Sequence, residues 1–262
     1  MQKKLRIMLA EVYGARAVVG QLVRQQLILR YRRTVFGFLW TLINPLMMMT
    51  ITAVVFSNLF KTDLKTFAVF MFAGMVPWNC FSSIVTQSAS SFILNEGLIR
   101  KIYLPKIIFP LSISLGILID SLLSLAALFV IIFIMGGTAS WALLFLPVAY
   151  VLLFVFSFGI ALFMAVMTVF LRDLQHVITI ALQALFFLTP IIYDKTAVVG
   201  RLGAVLDLNP LAVFVALFRA PIRYGVMPDS TTIFVACGLA LVSLAVSMAI
   251  FLAQEKKIVF RL

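Results

Sequence analysis

IIFPLSISLGILIDSLLSLAALFVIIFIMGGTASWALLFLPVAYVLLFVFSFGIALFMAVMTVFL, residues 107–171, carries one charge, Asp120. A helix needs about 20 apolar residues to cross the hydrocarbon of a bilayer. This stretch is long enough for two crossings, and Gly136-Gly137-Thr138 supplies the turn between them. Its neighbours read the same way. Residues 34–60, 66–95, 174–193 and 230–254 carry no Asp, Glu, Lys or Arg. The pattern predicts six membrane spans, near 35–59, 67–90, 107–135, 142–170, 174–193 and 231–253.

Composition agrees. The 262 residues are 64% hydrophobic and 11% charged, with a mean hydropathy of +1.16. A soluble domain has about 45–50% apolar and about 25% charged residues. The expected fold is therefore an all-α polytopic membrane protein. The formal charge is +12. The basic residues lie mostly between apolar spans, so they point to membrane orientation and anionic lipid rather than nucleic acid. Cys80 and Cys237 sit within apolar stretches, at no spacing suited to a metal or a disulfide framework. The first twenty residues lack the apolar core and small-residue cleavage site of a secretory leader, so no cleaved leader is expected.

An even number of spans places both termini on one side. That side carries fifteen Lys and Arg: eight before residue 34, then Arg100, Lys101, Lys106, Arg172, Lys256, Lys257 and Arg261. The other carries six: Lys61, Lys65, Lys195, Arg201, Arg219 and Arg223. The positive-inside bias puts both termini in the cytoplasm.

Two segments are not spans. Residues 1–33 place Leu5, Leu9, Val12, Val19, Leu22 and Leu27 at helical spacing, with Lys3, Lys4, Arg6 and Arg24 largely elsewhere. This predicts a cytoplasmic amphipathic helix in the interface, preceding a transmembrane domain over 34–262. Between the fifth and sixth spans, 197–206 and 211–220 are apolar but about half a spanning length. They predict two short outer helices, either lining a pore mouth or forming a plain interfacial hairpin.

Catalytic chemistry is sparse. The sequence has no G-x-x-x-x-G-K-[ST] loop, His176 is the only histidine, and the carboxylates are scattered singly. A membrane-embedded enzyme is disfavoured, and no metal site is expected. Asp120 falls inside the third span, about 21 Å along the helix from Lys106. Such a carboxylate is either a proton site, as in a proton-coupled secondary transporter, or a group satisfied by neighbours such as Ser121 and Ser124. Aromatic residues pair along span faces: Phe36 with Trp40, Trp78 with Phe81, and Phe186 with Tyr193 across Pro190. They either pack helices and anchor interfaces or line a path where ring faces meet sugar C–H surfaces.

One set of segments resembles a known family. RYRRTVFGFLWTLINPL (30–46), MFAGMVPWNCFSSIV (71–85), LNEGLIRKIYLPKIIFPL (94–111), FLRDLQHVITIALQALFFLTPIIYD (170–194) and LNPLAVFVALFRAPIRYG (208–225) are similar, in order and spacing, to the permeases of polysaccharide ABC exporters. These are the membrane subunits that export O-antigen, capsule and teichoic acid. The resemblance implies a six-helix type-two permease working as a homodimer in the inner membrane, with two copies of a separate ATPase. It implies that this chain binds no cofactor, ATP and magnesium residing on that ATPase. The cargo implied is a glycan on a polyprenyl diphosphate.

The resemblance also maps roles onto residues. Residues 95–106 would be the coupling segment, with Glu96, Ile99, Arg100 and Tyr103 meeting the ATPase. Residues 196–206 and 211–223 would be outer gate helices. The path would run between the first, second and fifth spans, lined by Tyr31, Phe36, Trp40, Trp78, Phe81, Phe186 and Tyr193. Arg30, Arg32 and Arg33 would either receive the carrier diphosphate through paired hydrogen bonds or anchor anionic lipid. A permease of the same type carrying a drug or other small molecule is the neighbouring reading.

Overall fold

The computed structural model describes residues 2–31, 36, 39–134, 140–194, 203, 206 and 208–262. Among these the chain is helical throughout, with no strand. Helices α1 (Gln2–Gly14) and α2 (Arg16–Tyr31) lead to α3 (Trp40–Phe60) and α4 (Leu64–Ala89). Two short helices follow, α5 (Ser91–Leu94) and α6 (Glu96–Lys101), then α7 (Ile108–Ile134). A 3-10 turn (Trp141–Phe145) opens α8 (Leu146–Phe170), and α9 (Leu174–Phe187), α10 (Pro210–Arg219) and α11 (Ser230–Arg261) complete the chain.

Among the described residues, four helical segments are long and apolar enough to cross a bilayer: α4, α7, the 3-10 turn with α8, and α11. The apolar stretches 46–60 of α3 and 174–187 of α9 are shorter. The fifth expected span, 174–193, is helical only to Phe187. Pro190 explains the stop, since it lacks an N–H and disfavours helical backbone at Thr189. The chain then bends, with the Ile191 N–H donating to the Thr189 carbonyl at 2.7 Å.

Helix α4 is the hub. Asp63 caps its start by accepting from the Thr66 N–H and hydroxyl, both at 3.0 Å. These bonds hold the Asp63 carboxyl below its usual range. The helix packs against α3, α7, α8, α9 and α10. Phe70, Met71, Ala73, Val76 and Ile84 are buried there. A second core gathers Phe92, Ile108, Phe109, Val166, Phe251 and Ile258 with Met8, Ala15 and Val19 of the N-terminal segment. That segment is two helices, and its buried stripe is docked on this core.

A glycine lets α8 and α11 approach closely. A Cβ at Gly159 would lie 2.7 Å from the Ser243 carbonyl carbon. Gly159→Ala is therefore expected to force the two helices apart at a cost of about 1–3 kcal/mol. Thermal unfolding in detergent checks this: a lower Tm is expected, and an unchanged Tm would show that the contact yields freely.

Candidate functional site

On α4, Asn79, Ser83 and Gln87 recur every four residues, as do Ser82, Thr86 and the C-capping Ser90 just beyond its end. On α9, Gln175, Thr179 and Gln183 do the same. Positions four apart stack on one face of a helix. Each apolar helix therefore carries a polar stripe, and the fold sets the two stripes opposite one another.

Between them lies an open groove of about 410 Å³. Ser82, Ser83, Thr86 and Gln87 line it from α4, and Thr179 and Gln183 from α9. Trp78, Phe186 and Phe187 supply rings. Trp78 meets Phe186 edge-on at 5.4 Å between centroids, and Phe186 meets Phe187 edge-on at 5.5 Å. The lining is uncharged. Its hydroxyls and amides donate and accept, and its rings offer flat apolar faces. Such a surface suits a molecule that is polar at its edges and apolar on its faces, as a pyranose ring is.

A second cavity of about 380 Å³ lies on the other side of the same stripe. It shares Ser83 and Gln87 with the groove and adds Asn44, Asn79, Asp120, Ser121 and Ser124, with Trp40. Asp120 thus faces a polar chamber between α3, α4 and α7.

The expected aromatic path divides among several places. Trp78 and Phe186 line the groove together. Phe36 and Trp40 meet edge-on at 5.5 Å, and Trp40 lines the second cavity. Phe81 is buried, stacked on Phe156, which stacks on Phe214; it is a core residue. Tyr193 donates its hydroxyl to the Phe187 carbonyl at 2.9 Å and lines a separate cavity with Phe67, Phe70 and Arg223. The bend at Pro190 separates it from Phe186. The backbone of Arg30 and Tyr31 ends α2, while their side chains, and all of Arg32 and Arg33, lie outside the described residues.

In the segment 95–106, Glu96 and Arg100 form an exposed ion pair at 2.8 Å. Such pairs contribute about 0.3–0.5 kcal/mol. Tyr103 is 88% exposed, and Leu94, Leu98 and Ile102 are also exposed. Ile99 packs inward on the second core and is not part of this surface. Lys106 reaches Glu255 at 3.8 Å, tying the segment to α11.

Of the two short segments expected on the outer side, the first is described only at Gly203 and Leu206. The second is α10, continued by a π-helical turn over Ala220–Tyr224. Asn209 caps α10 and also donates to the Leu188 carbonyl and Thr189 hydroxyl, both at 2.9 Å. Arg219 is 9% exposed; it donates to the Ile191 carbonyl at 3.1 Å and lies 3.7 Å from the Phe70 ring centroid. Gly74 leaves room for it, since a Cβ there would lie 3.0 Å from Arg219 Nη2.

Sequence reasoning missed the polar stripes, although their four-residue spacing within uncharged spans was a readable signal. Nothing in the sequence marked Arg219 as buried, because it was counted among the outer-side charges.

Comparison with known proteins adds a family. A family model described as "ABC-2 type transporter" matches residues 18–222. The O-antigen export system permease protein RfbA of Myxococcus xanthus is 28% identical over 249 residues, covering 94% of this chain and 96% of that protein. An O-antigen export system permease protein RfbA of Klebsiella pneumoniae is 27% identical over 228 residues, 87% of each chain. The polysialic acid transport protein KpsM of Escherichia coli is 25% identical over 250 residues, 91% of this chain and 95% of that one.

Proposed function

Because the chain belongs to the ABC-2 type transporter family, we propose that it is the membrane subunit of an ATP-driven exporter of cell-surface polysaccharide. It is a multi-pass, all-helical transporter subunit and not an enzyme. The observation that carries the polysaccharide reading is the uncharged groove of facing hydroxyl, amide and ring side chains between α4 and α9. The names of the relatives, O-antigen export permease and polysialic acid transport protein, support the same cargo class. A secondary transporter built on Asp120 and a small-molecule exporter are both less favoured by this combination.

The finer assignments are proposals. The permease works as a homodimer, with the groove as one wall of a path completed by a second copy. Thr179 and Gln183 are exposed beside apolar residues on α9, as are Met48, Ile51 and Val55 on α3. A second copy would bury these faces and keep the amides out of lipid. The lining is contributed by Trp40, Trp78 and Phe186, and Phe81 is left out because it is core. The glycan rides on a polyprenyl diphosphate, received at the cytoplasmic side by Arg30, Arg32 and Arg33. Two copies of an ATPase hold ATP and magnesium and dock on the segment 94–103. The protein lies in the inner membrane with both termini cytoplasmic, in keeping with the distribution of Lys and Arg.

Affinity purification in mild detergent, with identification of copurifying chains, tests this reading. A P-loop ATPase in equal amount is expected. Tyr103→Ala is expected to weaken its retention about fivefold, since an exposed aromatic ring is a favoured interface anchor. If no ATPase copurifies, the exporter reading fails; if one does and Tyr103→Ala retains it fully, the docking segment is wrong.

A further inference from the structure

A third cavity lies apart from the groove. It is the largest of the described cavities, about 760 Å³, within the range of small-molecule and cofactor sites. Its floor is Leu122, Leu125 and Phe129 of α7. Leu143 and Leu146, of the turn before α8 and the start of α8, form one wall, with Ile222 of the π-helical turn on the other. Its mouth carries Ser140, Arg223 and Tyr224. Arg223 is the one charged residue in the lining.

The polarity runs along the cavity. Leu122 lies twelve residues before the end of α7 at Ile134, about 18 Å deep along the helix axis. One leaflet of the hydrocarbon core is about 15 Å thick. The cavity therefore has the length of one leaflet, is apolar along that length, and ends at a cation. This is the profile of an amphiphile with its chain in the bilayer and its anionic group at the surface.

The walls are fixed without a ligand. Ser140 Oγ donates to the Gly225 carbonyl at 2.6 Å and accepts from the Ala142 N–H at 3.3 Å. Gly225 sits at φ +64°, and a Cβ there would lie 3.3 Å from Ser140 Cβ. Tyr150 donates to the Ser121 carbonyl at 3.1 Å and meets Phe218 edge-on at 4.8 Å. At the mouth, Arg223 lies 4.3 Å from the centroid of the Phe70 ring that Arg219 also contacts. Asp194 lines the neighbouring cavity beside Arg223, and Asp229 lines a further cavity beside Arg219 and Tyr224. Neither carboxylate lines this cavity, so the charge its mouth presents is that of Arg223.

We propose that this cavity is a binding site for one anionic glycerophospholipid, its acyl chain along α7 and its phosphate at Arg223. On the orientation proposed above the lipid belongs to the outer leaflet. The assignment does not depend on the cargo. A polyprenyl chain would overrun a groove of this length, so a bilayer lipid is the better fit.

The test uses the purified full chain in phosphatidylcholine nanodiscs doped with phosphatidylglycerol bearing a diazirine at its acyl terminus. After photolysis, peptide mass spectrometry maps the adducts. They are expected to concentrate at 122–129, and Arg223→Gln is expected to lower their yield there about fivefold, the effect of one basic residue at a lipid surface. Phe129→Trp, which fills the floor and leaves the mouth intact, is expected to remove adducts at Leu122 and Leu125. If Phe129→Trp does not fold, Arg223→Gln still decides. Adducts spread evenly over the lipid-facing helices, or a yield unchanged by Arg223→Gln, would overturn the site. Equal labelling by the phosphatidylcholine analogue would overturn the anionic headgroup. Stronger labelling by a diazirine polyprenyl phosphate would assign the cavity to a carrier lipid and overturn the bilayer-lipid reading.

Discussion

Replacing Thr86, Thr179 and Gln183 with Val, Val and Leu is expected to reduce glycan export about thirtyfold while leaving thermal stability unchanged or raised. The three side chains line the groove and are exposed. Their surroundings permit two outcomes with opposite signs. If this face met lipid tails, the Thr179 hydroxyl would keep its bond to the Gln175 carbonyl but the Gln183 amide would be set in hydrocarbon, and apolar replacements would stabilise the protein with no effect on transport. If it borders a wet path, the same replacements remove groups that bond a passing polar chain. A net hydrogen bond is worth about 0.5–1.5 kcal/mol. Losing three of modest strength raises the barrier by about 2 kcal/mol, which is about thirtyfold in rate. Three such bonds outweigh any one surface contact in the chain, so the combined variant is the sharper probe. Transport of labelled lipid-linked glycan into inverted vesicles, read beside unfolding in nanodiscs, separates the cases. Undiminished export with raised stability would show that the groove faces lipid and would remove the lining assignment.

The long uncharged runs were sufficient to read the helical class and the approximate bounds of α4, α7, α8 and α11, because hydropathy over twenty residues is a property of the local sequence. The end of α9 was less legible. Residues 188–193 are as apolar as a span, and only Pro190 marks the bend. The candidate site was half legible. Rings are conspicuous in a sequence, but their spacing paired Trp78 with Phe81 and Phe186 with Tyr193; the resemblance alone set Trp78 and Phe186 along one path, and their contact comes from how the second and fifth spans pack. Phe81 shows the limit of that reasoning. It lies three residues from Trp78, yet it stacks on Phe156; facing is decided by which helix packs where, and that is not a local property. Ile99 fails in the same way, because its helical turn presents Leu98 and Ile102 outward and Ile99 to the core.

Arg219→Ala is expected to destabilise the protein by about 2 kcal/mol, and Arg219→Met by clearly less. Burial pushes the Arg219 guanidinium down to about 10, so it remains a cation at neutral pH. Its Nε is buried without a hydrogen-bond partner among the described residues. The charge is held by the Phe70 ring and the Ile191 carbonyl, with Asp194 attracting it from nearby. A desolvated cation–π contact contributes about 2 kcal/mol. Deleting the side chain loses that contact, bares the Ile191 carbonyl and leaves a cavity, at a further cost of about 1–3 kcal/mol. Releasing a buried charge with an unpaired Nε offsets part of the total, which brings the net to about 2 kcal/mol. Met fills the same volume and carries no charge to desolvate, so it loses the ring contact and avoids the cavity. A charge buried for stability alone would be poorly replaced by either residue. A charge that clamps α10 onto α4 and the 188–193 bend would let Met fold well and still loosen the outer mouth. The expected Tm order is wild type, then Met, then Ala. Both variants are expected to admit a small aqueous thiol reagent to a cysteine at Leu206, which is buried and lines the cavity beside Arg219. A Met variant that unfolds as readily as Ala, with no gain in labelling, would show that the Arg219 charge serves stability alone and has no part in holding this side closed.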